Sequence, residues 1–171
     1  MFKNKPKSLL ILGILTILNT SLALLNGIIS LISGPPSAVE IKKENLKMAQ
    51  SIVDFKKLDP PPEAMDLIEK IQQISTAVND NFIFFTGIST LFSAIGFVSV
   101  FLMFRKEVYG FHAYIVYSIL SSISIYFILS PSEVPTPLII VNLLFSGLFV
   151  YLYSRNLAWI KNDNTLINNE E

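Results

Sequence analysis

Cysteine is absent from the 171 residues, and histidine and tryptophan occur once each. Without cysteine there is no disulfide, no thiolate nucleophile and no Cys-ligated metal site. Thiol-linked quinone redox chemistry is excluded on the same ground. A lone histidine, His112, cannot supply an HExxH zinc site or a pair of transmembrane haem ligands. Charge is scarce as well: Asp, Glu, Lys and Arg make up 15% of the chain, where soluble domains carry nearer a quarter. None of these residues falls within 8–32, 82–104, 108–132 or 134–154. Charged groups inside membrane spans mark ion pathways, proton relays and substrate sites. Their absence speaks against a proton-coupled pump, a small multidrug exporter or an intramembrane protease. Acids and bases balance at 13 each, so no overall field points to nucleic acid. The expectation is a non-enzyme with no cofactor, no metal and no nucleic-acid partner.

What remains is apolar. Hydrophobic residues form 51% of the sequence, with mean hydropathy +0.54. Four runs stand out, over about 9–32, 82–104, 111–130 and 136–154. At roughly 1.5 Å per residue the first, ~24 residues long, crosses a ~30 Å hydrocarbon core with some tilt. A signal peptide is its rival, because Lys3, Lys5 and Lys7 precede it and Ser21-Leu-Ala23 has cleavage-like spacing. The apolar core of a signal peptide is only about 7–15 residues, so the run reads as an uncleaved span. The fold class expected is an all-α membrane protein: four transmembrane helices with an extracytoplasmic amphipathic helical hairpin between the first two. Residues 162–171, rich in Asn and Glu, read as a disordered tail.

The hairpin occupies residues 34–81. Ser33-Gly34-Pro35-Pro36 ends the first span, since proline lacks a backbone donor and disfavours helix before it. Ser37 and Glu40 have capping-box spacing, which predicts a helix from about Ala38 to Leu58. Its apolar face carries Ile41, Met48, Ile52 and Phe55. Asp59-Pro60-Pro61-Pro62 breaks it with a stiff connector. A second helix then shows Leu67, Ile71 and Ile74 at helical spacing. These two faces are the candidate partner surface. They could instead lie flat on the bilayer, although six lysines against eight acids leave the segment at −2. No strong breaker lies between Val78 and Phe82, so a single helix from about Glu63 to Phe104 is expected.

Later turns are read at Tyr109-Gly110 and at Ser130–Pro137, with Thr136 as N-cap of the fourth span and Pro137 at its first position. Basic residues in short segments set orientation. Lys3, Lys5 and Lys7, then Arg105 and Lys106, then Arg155 and Lys161 all agree with both termini in the cytoplasm.

Uncharged polar residues recur within the runs at three- and four-residue steps: Thr16, Asn19, Asn26 and Ser30, then Ser89, Ser93 and Gly96, and finally Asn142 and Ser146. The third run adds Tyr114, Tyr117, Ser118, Ser121, Ser122 and Ser124. Such stripes act as packing glue between helices in lipid. Alternatively they line a cavity for a lipid headgroup or small amphiphile. Phe104, Tyr109, Phe111, Tyr151, Tyr153 and Trp159 gather near the run ends, as interfacial aromatic belts do.

The lysine-rich start, the polar helical segment and the run Phe104-Arg-Lys-Glu-Val-Tyr-Gly-Phe-His-Ala-Tyr114 loosely resemble small four-span membrane proteins of Bacteroidota, which are uncharacterised. That resemblance implies a bacterial inner-membrane location and no activity. The order of one span, a large outer loop and three more spans also resembles the claudin-like layout, without the Trp and Cys residues that mark that family's loop. The expected role is an accessory, scaffold or interaction subunit contacting membrane lipid and another membrane protein or a second copy of itself. The alternative is a binder or carrier of lipid or another hydrophobic small molecule through a polar-lined cavity.

Overall fold

A computed structural model describes residues 5–161; the tail at 162–171 and Lys3 lie outside the described residues. Every element there is helical. Four helices are long and apolar enough to cross a membrane: α1 (Lys7–Ser33), α4 (Phe82–Phe104), the segment Val108–Phe127 and α6 (Thr136–Ser154). Between the first two stand α2 (Ala38–Lys56) and α3 (Pro62–Asp80), and a short α7 (Leu157–Lys161) closes the described chain.

Local chemistry sets the boundaries. Gly34 takes φ +79 and ends α1, donating its N–H to the Ser30 carbonyl. Ser37 caps α2 through a full capping box: its hydroxyl accepts from the Glu40 N–H and the Glu40 carboxylate accepts from the Ser37 N–H. This satisfies two of the four donors that a helix start leaves unpaired. Pro62 opens α3, where its missing N–H costs nothing.

Four expectations about helix boundaries are corrected. The helix from Glu63 to Phe104 is interrupted at Asn81, whose φ −108 and ψ 27 leave the helical region. Its side-chain amide donates to the Ala77 carbonyl at 2.9 Å, the kind of side-chain bond that competes with the backbone ladder. Tyr109 and Gly110 lie inside α5 (Val108–Ile123). The turn sits earlier, with Lys106 in the left-handed region at φ 65. The third run is not α-helical throughout: α5 ends at Ile123 and continues as a 3₁₀ turn over Ser124–Phe127. Hydroxyls of Ser122 and Ser124 bond back to the Ser118 and Ser121 carbonyls, and such back-bonding bends helices. Thr136 is the first residue of α6 rather than its N-cap; Pro135 precedes it with no side-chain cap.

Helix α4 lies at the centre, packed along α1 on one side and α5 on the other, with α6 against α5. Small residues permit the close approach. A methyl added at Gly96 would meet the Tyr117 ring at 2.9 Å and the Thr20 side chain at 3.0 Å. The packed core gathers at the basic end: Leu9, Leu12, Val100, Met103, Phe104, Phe111, Tyr114, Tyr153 and Ile160. Tyr153, Phe104 and Phe111 therefore face inward, not into an interfacial belt. Tyr109 and Tyr151 do project outward. Ser8 donates to Asn156 at 2.8 Å and Tyr153 donates to Thr16 at 2.9 Å, pinning the start of α1 to the end of α6. Away from this end α6 is thinly covered, and Tyr153 is its only buried residue. No residue of α2 or α3 is buried.

Candidate functional site

The loose packing of α6 leaves a groove of about 240 Å³ between α1, α5 and α6. From α1 it takes Leu15, Thr16 and Asn19; from α5, Tyr114, Tyr117, Ser118 and Ser121; from α6, Asn142, Phe145, Ser146 and Phe149. Periodicity explains why α6 contributes that set. Asn142, Phe145, Ser146, Phe149 and Tyr153 recur at steps of three and four, which is one face of a helix.

Polar groups at the floor are engaged. The Thr16 hydroxyl oxygen accepts from Tyr153 at 2.9 Å, and the Ser122 and Ser146 hydroxyls pair at 2.9 Å. The Tyr114 and Tyr153 rings pack with centroids 4.6 Å apart. At the mouth the situation reverses. Asn19 and Asn142 are both exposed, and among the described residues neither side-chain amide has a hydrogen-bond partner.

Depth along the helices is consistent. With about 1.5 Å of rise per residue, Asn19 stands ~18 Å from the start of α1. Asn142 stands ~18 Å from the end of α6, and Tyr117 and Ser121 lie about 14 and 20 Å into α5. All four distances start from the basic end, so the polar groups share one depth, mid-way along α1 and in the far half of α5 and α6. The lining carries no Asp, Glu, Lys, Arg or His. Chemically, the groove offers neutral hydrogen bonding between aromatic walls, with no nucleophile–base pair among its residues. No group of three or more His, Cys, Asp or Glu residues is placed to hold a metal ion among the described residues.

The stripes therefore divide. Thr16, Asn19, Asn142 and Ser146 converge on the groove. Gly96 instead seats α4 against Thr20 and Tyr117. Ser93 is buried and bonds the Ser89 carbonyl at 2.9 Å. Ser30 lies at the far end, where the α1 terminus meets Glu40, Asn79 and Phe82. Asn26 is exposed outside the groove. On the hairpin, Ile41, Met48, Ile52, Phe55, Leu67 and Ile74 are half-buried, while Ile71 is exposed and Gln72 sits beside Ile41 and Ala49 of α2. Leu15, Phe145 and Phe149 escaped notice as walls because they read as ordinary lipid-facing residues. Their shared face with Asn142 was the available signal. Comparison with protein-family models, curated proteins and solved structures returned no match.

Proposed function

We propose that the protein is a non-enzymatic, multi-pass protein of a bacterial inner membrane that binds or carries a hydrophobic small molecule in the α1–α5–α6 groove. One observation carries this reading: Asn19 and Asn142, far apart in sequence, stand at one depth with unpaired amides on a groove that holds no charge. In hydrocarbon an unpaired amide costs several kcal/mol on the scale of about 2–7, so a polar occupant is favoured there. Both termini are assigned to the cytoplasm and residues 34–81 to the outside, on the distribution of lysine and arginine. Gentle-detergent purification followed by mass spectrometry tests the function. A small hydrophobic molecule retained by the wild type and lost from Asn19→Leu/Asn142→Leu supports it. A stoichiometric protein partner with no retained small molecule overturns it.

A second reading, an accessory or scaffold subunit, is favoured by α2 and α3. Their apolar faces at Ile41, Met48, Ile52, Phe55, Leu67 and Ile74 reach only half-burial within the chain. A pair of helices this short builds too small a core to stand alone, so a partner or a second copy would complete it.

A further inference from the structure

We infer that the occupant of the groove is an isoprenoid quinone, bound by its ring. This rests on the reading of the groove as a small-molecule site and narrows the chemical class. Three features select it. The first is depth. The polar mouth of the groove, at Asn19, Asn142, Tyr117 and Ser121, lies about 14–20 Å from the basic end, well inside a ~30 Å hydrocarbon core. Phospholipid headgroups stay at the interface, and so do the hydroxyls of diacylglycerols, because water satisfies them there. A head that resides at mid-bilayer must be neutral and weakly hydrated. A ring bearing two carbonyl acceptors and no donor on a long isoprenoid tail meets that condition. The second feature is complementarity. The unpaired amides of Asn19 and Asn142 each present two N–H donors against one acceptor oxygen at the mouth, so a ligand rich in carbonyl acceptors meets most of what they offer. The ring would lie against Tyr117, Phe145 and Phe149, and aromatic walls favour a flat π-system by offset stacking. The third is size. Pockets that enclose a whole drug-sized ligand measure about 300–1,000 Å³. A groove of about 240 Å³ suits a ring alone. Leu15, Asn142 and Phe145 are exposed at its edge, so the tail leaves sideways into the bilayer. The inference concerns binding, with no electron transfer assigned to this chain.

The test uses the full chain in nanodiscs prepared without quinone. A decyl-substituted benzoquinone is titrated, and in parallel a diacylglycerol with ten-carbon chains. The expected result is saturable one-to-one quinone binding, weakened about tenfold in Asn19→Leu/Asn142→Leu for the loss of two modest hydrogen bonds. Leu15→Trp, an apolar exchange at an exposed position, narrows the groove without a folding cost and weakens binding as well. Asn26→Leu, outside the groove, leaves it unchanged. Saturable diacylglycerol binding without quinone binding overturns the quinone and leaves the groove reading standing. Absence of saturable binding by either overturns both. Quinone binding that ignores the double variant and Leu15→Trp removes the site from this groove.

Discussion

Gly110→Ala should destabilise the bundle more than any other single methyl added to a glycine tested alongside it. The added carbon would lie 2.6 Å from the Met103 backbone nitrogen, 2.6 Å from the Ser99 carbonyl oxygen and 2.8 Å from the Leu102 Cβ. Non-bonded carbon contacts settle at about 3.5–4.0 Å, so the helices must part by roughly 1 Å. Two of the three obstacles are main chain, which cannot rotate away. The seam that opens is the one where Val100, Met103 and Phe104 meet Phe111 and Tyr114. Overpacking a well-filled site costs about 1–3 kcal/mol, and rigid backbone obstacles place this case near the upper end. Gly87 and Gly147 have nothing within 4 Å; alanine there should stay within about 0.5 kcal/mol of wild type. Unfolding in mixed micelles, followed through the fluorescence of Trp159, measures all three. A Gly110→Ala curve that overlays the Gly87→Ala and Gly147→Ala curves would refute the close α4–α5 seam.

Tyr153→Phe removes the donor to Thr16 and should cost about 0.6 kcal/mol, with ~1.7 as a ceiling for such bonds in lipid; the same micelle titration reads it. In the capping box, the hydrogen bonds from the Ser37 side chain and then its backbone hold the Glu40 carboxyl below its ordinary value. A depressed folded-state value means that the cap is in place above the ordinary glutamate range and is lost as pH falls through the lowered value. Protection of the Glu40 and Ile41 amides relative to other α2 amides should therefore be constant near neutrality and fall only in acid; Ser37→Ala, which keeps only the backbone N–H bond to Glu40, should weaken that acid dependence. Because the chain has no cysteine, single introduced thiols are clean reporters. Gln50→Cys should react with an impermeant reagent added outside cells, and reaction from the cytoplasmic side alone would reverse the proposed orientation.

Much of the scaffold was readable because apolar run length and breakers are local properties. Gly34, the Ser37–Glu40 pair and Pro62 end and start helices by their own backbone chemistry, and each does so where expected. What escaped depends on contacts between distant residues. Tyr153 looks interfacial by position along the chain, yet it is buried because Thr16, 137 residues away, accepts its hydroxyl. Gly110 looks like a turn residue beside Arg105 and Lys106, yet its value lies in letting α5 touch the α4 backbone. The polar stripes were visible one helix at a time. Which face meets which neighbour is fixed by packing, and that separates Asn19 from Asn26 and Ser146 from Ser93.

The central claim is that the groove holds a small molecule rather than a polypeptide. Placing a photoreactive phenylalanine analogue at Phe145, on the groove wall, and irradiating intact membranes decides between them. The account predicts an adduct heavier than the chain by the mass of one small hydrophobic molecule, formed in clearly lower yield when Asn19→Leu/Asn142→Leu is present. A crosslink to another polypeptide, or to a second copy of the chain, would contradict it.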